Sequence, residues 1–509
     1  MQLLASYLAG TWSEGTGTKI ALVNPATEQP LAEIASGGHD LAKAFAHARE
    51  AGSAELRKLT FAQRGELLAS LAKALHGARE ELISLAVANG GNTRSDAKFD
   101  VDGGSATLSY YADLASKLGS TTLLGDGEPV QVGRTARMSG QHVWTTRRGV
   151  AVHINAFNFP GWGLCEKLAC AIVAGMPVIA KPATATALVA HRMMQLFAPL
   201  VPAGTVQMLV GPAGDLLDQL RAGDVVAFTG GSDTARMLRT HKNIVEHGVR
   251  LNLEADSLNA AIMGPDVELA SETGGLFVAD VARDMIQKTG QKCTAIRRVL
   301  VPEARFDDAC DAFKERLGAV VIGDPAREDV RMGPVATAQQ KRDVSAGIAR
   351  LASATTEVFG GTGEIAGAGY FIGPVLRTTK TPMECEAMND HEVFGPVATI
   401  APYDGDADFA ARLVARGHGC LVSSAYSDDR DWVTRFVGAA APWAGRLYLG
   451  SAKMAAQSPG PGTALPSLLH GGPGRAGGGE ELGGVRGMQL YMQRTALEGD
   501  ASVLKALLG

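Results

Sequence analysis

The chain has 509 residues, 46% hydrophobic and 20% charged, which is enough for two or three domains of ordinary globular composition. A net charge of −5 excludes the basic field that gathers nucleic acid, and no run of about twenty apolar residues offers a membrane span. The start, Met1 to Tyr7, has no signal-peptide pattern, and the six cysteines contain no CxxC pair. A reducing cytoplasm with free thiols and no zinc site is therefore expected.

In chain order, Asp40 is placed to cap a helix from Leu41 onward, and Thr60 to Val87 carries Leu67, Leu68, Leu71 and Leu75 at helical spacing. Residues 120–148 turn polar and extended, which predicts a short arm of strands. From Gly149 to Asp256 the chain alternates. Strands are predicted at Val150–Ile154, Pro177–Ala180, Val206–Val210, Val225–Phe228 and Val249–Leu253, with helices between, for instance Leu188–Leu196 and Asp233–His241. That alternation implies a parallel sheet covered on both faces, with ligands at the carboxyl ends of its strands. A second α/β segment begins near Ser257. It contains a helix through Phe277, Val281 and Met285 that stops at Gly290, and strands at Arg298–Val301 and Ala398–Ala401. The Gly-rich stretch His470 to Gly484 leads into a predicted strand at Met488–Met492.

Cys293 follows the polar turn Gly290-Gln291-Lys292, an unusual setting for an inert core thiol. An ionised, accessible thiol there could form the tetrahedral adduct from which an aldehyde gives up hydride. Glu254 ends a strand. It suits either a solvated strand end or a general base of raised pKa that activates water against a thioester. Asn158 directly follows the strand at 150–154, and an aimed amide can hold an oxyanion, though turn asparagines are common. Lys181 is either a solvated strand-end lysine or a ligand for ribose or phosphate. The turn Phe228-Thr229-Gly230-Gly231-Ser232 would offer backbone N–H groups and a helix N-terminus to an anion.

These segments, with Asn155 to Pro160, Lys181-Pro182-Ala183, Gly369-Tyr370-Phe371-Ile372 and Glu392-Val393-Phe394-Gly395-Pro396, resemble the NAD(P)-dependent aldehyde dehydrogenase superfamily over nearly the whole chain and in the family's order. The resemblance implies an α/β aldehyde dehydrogenase fold. It has a Rossmann-like NAD(P)-binding domain (1–122 and 147–256), an α/β catalytic domain (257–485) and a small β oligomerisation arm (123–146 and 486–509). It makes Cys293 the nucleophile, Glu254 the base for hydrolysis, and Asn158 with the Cys293 N–H the oxyanion site. Lys167 falls near a proton relay. Cofactor contacts are implied for Ala156, Phe157, Lys181, Thr184, Thr229, Gly230, Gly231, Ser232, Glu392 and Phe394.

The tail His470 to Gly484, with Glu254 to Asn259 and Leu4 to Trp12, is similar to family members of phenylacetate and benzoate catabolism whose substrates are ring-cleavage semialdehydes joined to coenzyme A. Some of these are fused to an enoyl-CoA hydratase. Here such a hydratase is expected either as a separate protein or as a part cut away from a longer fusion, and a homodimer or larger homo-oligomer is implied.

The chain also departs from the family. Asp256-Ser257 replace a Gly-Gly pair, Gly231 a Ser and Ala235 a Gly. Thr184 stands where NAD-preferring relatives often have Glu. A hydroxyl tolerates a 2′-phosphate that a carboxylate repels, so NADP is expected as cofactor, with NAD possible. The alternative reading is a coenzyme A-acylating enzyme, in which CoA replaces water; Glu254 argues against it.

Overall fold

The computed structural model describes residues 1–508. Five parallel strands lie side by side in the order Arg250–Glu254, Val225–Thr229, Ala151–Ile154, Val178–Lys181 and Val206–Met208. The antiparallel strands Ser6–Leu8 and Thr11–Ser13 extend the far edge. The strand period of two assigns side chains to opposite faces. Ala151, Val178 and Ala180 pack with Leu168, Ile172 and Val189 on one side. Val150, Val152, Ile179, Val226 and Phe228 pack with Phe45 and Leu238 on the other. Burial on both faces is why these strands read as near-continuous apolar runs.

From its central strand Ala151–Ile154 the chain winds outward to one side, then crosses back to Val225–Thr229 on the other. That crossing opens a crevice at the carboxyl ends, the place where such sheets hold ligands. Registers Thr229 opposite Glu254 and Ile154 opposite Lys181 bring the tips of four strands to one rim.

A second seven-stranded sheet runs Thr356–Phe359, Val375–Thr378, Val397–Tyr403, Ile296–Pro302, Asn259–Met263, Cys420–Tyr426 and Ala444–Gly450, parallel except for the first. Ala260, Ile262 and Leu300 face one apolar layer; Ala261, Met263, Val299 and Val301 face the other. A third sheet pairs Met492–Asp500 with Met138–Thr146, and that strand with Leu124–Gln131, all antiparallel. No helix among the described residues is long and apolar enough to cross a membrane.

The helical spacing over Thr60–Val87 is realised as two helices, Phe61–Gly77 and Arg79–Gly90, because the backbone at Ala78 leaves helical geometry. Two local expectations are corrected. Met488 lies in a short helix, Val485–Gln489, and the strand begins only at Met492. Gly484 at φ +63° turns the chain into that helix, and burial of Met488 supplies the apolar signal misread as a strand. Finally, the helix before the nucleophile, Glu272–Ile286, ends earlier than Gly290 and is followed by Lys288 and Thr289 in left-handed geometry.

Gly290 continues that turn at φ +68°, and a Cβ on it would lie 2.2 Å from the Gly395 carbonyl oxygen. The close approach of these two loops fixes where Cys293 emerges. Replacement Gly290→Ala should destabilise the protein by more than about 1 kcal/mol and depress Cys293 reactivity. Chemical denaturation and alkylation rates check both, and an unchanged pair of values would contradict the packing argument.

Candidate active site

Cys293 sits between two cavities and lines both. The wider one, about 530 Å³, lies on the carboxyl ends of the first sheet. Its wall includes Asn155, Ala156, Phe157, Lys181, Thr229, Gly230, Gly231, Glu254, Glu392 and Phe394. The narrower one, about 40 Å³, is walled by Phe99, Phe159 and Trp162 and includes Lys167 and His470. Asn158 and Glu254 also line both. Of the residues singled out from sequence, Thr184 and Ser232 stand outside these walls. Thr184 follows cavity-lining Ala183 at the start of a short 3-10 turn.

The turn Gly290-Gln291-Lys292 that carries Cys293 is buried. Gln291 and Lys292 are 3% and 1% exposed, and the polar atoms of both side chains find partners. Lys292 Nζ donates to Asp284 (2.7 Å) and Gln287 (2.7 Å), facing away from the thiol. Gln291 accepts from the Ala336 N–H (2.9 Å), and Asn259 Nδ2 donates to the carbonyls of Cys293 and Ala295 (2.8 Å each). Asn158 Nδ2 donates to the Gln291 carbonyl at 3.0 Å. This uses one of its two hydrogens and holds the amide beside the thiol.

His470 completes the centre. Its Nε2 lies 3.8 Å from Cys293 Sγ and 3.0 Å from Glu254 Oε2. His470 was not singled out from sequence. Glycines deliver it: the segment after it packs backbone against backbone on the strand that ends in Glu254. Gly479 N–H donates to the Leu253 carbonyl (3.1 Å) and Ala255 N–H to the Ala476 carbonyl (3.0 Å). A Cβ at Gly477 or Gly479 would fall 2.2 or 2.5 Å from the Leu253 oxygen. The dense glycines were thus the available signal; they mark a close approach, and His470 leads into it.

Two electrostatic expectations are corrected. Burial alone would raise the Glu254 carboxyl, but His470 beside it and Lys167 outweigh that and hold it below the ordinary carboxylate range. Conversely, burial would lower His470, and Glu254 raises it instead. The two form an ion pair. Burial pushes the Cys293 thiol well above its ordinary value and the Glu254 carboxylate adds to the push, so the resting sulfur is a thiol and not the ionised group expected.

Lys167, 2% exposed, donates to Thr229 Oγ1 (2.8 Å), Glu481 (3.0 Å) and Glu166 (3.1 Å). Burial would lower its pKa, but Glu481, Glu166 and Glu254 together raise it, so the ammonium is permanent. Glu392 is held by the Ser257 N–H (2.9 Å) and Arg297 (3.1 Å). Burial brings its carboxyl up to about 7 although Arg297 opposes the shift.

The expected anion-binding turn is altered by the unusual Asp256. Its carboxylate accepts from both the Ser232 N–H (3.0 Å) and the Ser232 hydroxyl (2.8 Å). Ser232 is therefore not a free phosphate donor, which corrects that assignment. Gly230 N–H is likewise spent on the Glu254 carbonyl at 3.1 Å.

The wide cavity nevertheless fits a nucleotide. Asn155, 5% exposed, leaves both atoms of its side-chain amide without partners on the cavity wall, and a bound ligand can satisfy them. Burial lowers the pKa of Lys181, whose Nζ has only the Pro182 carbonyl at 3.2 Å.

Residues 12–496 match the Aldehyde dehydrogenase family. The chain belongs to that family. It is 42% identical over 478 residues to a 3,4-dehydroadipyl-CoA semialdehyde dehydrogenase of Aromatoleum evansii, covering 92% of this chain and 93% of the relative. It is 28% identical to a non-phosphorylating aspartate-semialdehyde dehydrogenase of Halomonas elongata, covering 96% and 94%. The fold matches Staphylococcus aureus betaine aldehyde dehydrogenase in complex with NAD+, with TM-score 0.86, 23% identity and coverage of 98% and 95%. It also matches a 3,6-anhydro-L-galactose dehydrogenase in complex with NAP, with TM-score 0.85, 22% identity and coverage of 98% and 100%. The α/β aldehyde dehydrogenase fold expected from the sequence is thereby borne out.

The Glu254–His470 pair generates a pH signature. The lowered Glu254 contributes stability above its unfolded pKa and loses it as pH falls through the folded value. The raised His470 contributes below its unfolded pKa and loses it as pH rises through the folded value. His470→Gln should thus cost most stability between about pH 4.3 and 6.5, the ordinary values of the two groups, and less on either side. Denaturant titrations across pH measure the difference; a cost independent of pH would contradict the ion pair.

Proposed function

We propose that the protein oxidises an aldehyde to the carboxylic acid with NADP, and that the aldehyde is a CoA-linked semialdehyde from aromatic ring cleavage. The observation that carries this is the position of Cys293 and Glu254 at the junction of the two cavities. One thiol can meet an aldehyde arriving from the narrow side and a nucleotide held on the wide side. The CoA-linked substrate rests on the 42% identity to the Aromatoleum enzyme.

Residues 155–158, Lys181, Gly231, Glu392 and Phe394 would hold the nicotinamide nucleotide, which when bound supplies the hydride acceptor. Cys293 gives its thiol proton to solvent water and attacks the aldehyde carbon as a thiolate. The second hydrogen of Asn158 Nδ2, together with the Cys293 N–H, bears the oxyanion. Loss of hydride leaves a thioester on Cys293. Glu254 then takes a proton from water as the water attacks that thioester, after release from His470, since a carboxylate bound in the ion pair is a weak base. Lys167, fixed by Thr229, Glu166 and Glu481, keeps a positive charge behind Glu254 and favours its ionised form. The aromatic wall of Phe99, Phe159 and Trp162 excludes water from the aldehyde end.

The same reading divides the chain as the sequence suggested, into cofactor domain, catalytic domain and arm, and places it in the cytoplasm as a homo-oligomer. The arm's outer strand Met492–Asp500 has one unpaired edge. Val130, Met138, Val503 and Leu507 are 59%, 46%, 55% and 52% exposed, apolar surface suited to a second copy.

Glu254→Gln should release one burst of reduced cofactor per chain and then stall with an acyl adduct on Cys293. Rapid kinetics with intact mass measurement tests this; steady turnover, or release of acyl-CoA by free coenzyme A at the wild-type rate, would favour the acylating alternative. Thr184→Glu should raise the dissociation constant for NADP by at least about fivefold more than that for NAD, one charge–charge contact being worth about 1–4 kcal/mol. Fluorescence titration with both nucleotides decides, and equal effects would remove Thr184 from cofactor selection.

A further inference from the structure

We propose that Cys293, His470 and Glu254 together form a capture site for a thiophilic divalent cation of the zinc class, which switches the reaction centre off reversibly. Sulfur, imidazole nitrogen and carboxylate oxygen from three distant segments converge with their donor atoms within 4.8 Å of one another. A tetrahedral zinc with bonds of about 2.3 Å to sulfur and about 2.0–2.2 Å to nitrogen and oxygen holds its ligands about 3.3–3.6 Å apart. Two of the separations, 3.8 Å from Sγ to Nε2 and 3.0 Å from Nε2 to Oε2, bracket that span, and sulfur and carboxylate oxygen lie within 4.8 Å, so side-chain rotation can bring the three donors onto one ion.

A second observation points to a ligand. Glu254 and His470 are 2% and 5% exposed, yet neither carboxylate oxygen nor the ring Nδ1 has a hydrogen-bond partner. The Glu254–His470 contact is thus a charge contact without hydrogen-bond alignment, and lone pairs remain for a metal. Lys167, the cation behind Glu254, is committed to Thr229, Glu166 and Glu481 and does not compete. The wide cavity, lined by Cys293 and Glu254, gives a hydrated ion its way in.

The exchange balances. Zn2+ displaces the thiol proton of Cys293 and the imidazolium proton on His470 Nε2, releasing two H+, and a water fills the fourth position. No electron moves. Capture removes nucleophile and base at once, so inhibition follows if the proposed function is correct; binding itself does not depend on it.

The full chain, reduced and stripped by chelator, is titrated with Co2+ as a spectroscopic probe and with Zn2+ against alkylation of Cys293 by iodoacetamide, mapped by peptide mass. Wild type should bind one Co2+ with a thiolate-to-metal charge-transfer band, and Zn2+ should protect Cys293 until chelator is added. Cys293→Ser should abolish the band, while His470→Gln and the nearly isosteric Glu254→Gln should each weaken binding at least about tenfold, as loss of metal-site contacts does. A missing band, or equal Zn2+ protection in both variants and wild type, overturns the site in favour of a lone thiolate. Metal binding as expected in a protein without aldehyde oxidation would sink the proposed function and leave the site standing.

Discussion

The contact between His470 and Glu254, 3.0 Å long and closed to solvent, is the interaction on which the reaction centre turns. An unpaired carboxylate this deeply buried would take up a proton and leave the thiol with no anionic neighbour. Paired with an imidazolium, it stays charged and holds the Cys293 thiol protonated. Lys167 reinforces the same charge state from behind through a permanent ammonium. Under the proposed function, Glu254 acts as a base only after the pair separates.

What makes the pair possible is backbone chemistry some distance away. Gly477 and Gly479 let one chain segment lie directly on the strand ending in Glu254, close enough that a methyl group would be refused. The left-handed turn at Lys288, Thr289 and Gly290 does the corresponding work for Cys293, wedging it against the Gly395 loop. Asn158 follows the strand Ala151–Ile154 and Glu254 ends the strand Arg250–Glu254, with Val225–Thr229 paired between them, so sheet register sets their spacing. Three independent backbone constraints thus meet at one sulfur.

Much of this was legible in the sequence because it is local. Apolar runs of strand length marked the first sheet, and Glu254, Lys181 and Thr229 stood at the carboxyl ends where ligands gather. Less legible was everything set by partners remote in the chain. The sign of the Glu254 shift was misjudged because its counter-ion, His470, lies in a Gly-rich tail with no helical or strand pattern to announce it. Ser232 lost its expected role for the same reason: Asp256 folds over the helix end and takes its donors. The burial of the polar turn at Gln291 and Lys292 was equally hidden, since its partners Ala336 and Asp284 could not be paired with it from spacing alone.

The most direct test follows alkylation of Cys293, peptide by peptide, against aldehyde-dependent reduction of NADP. The account predicts that activity falls in proportion to one modified sulfur per chain, while nucleotide binding persists. Protein fully modified at Cys293 that still reduces the cofactor would contradict it.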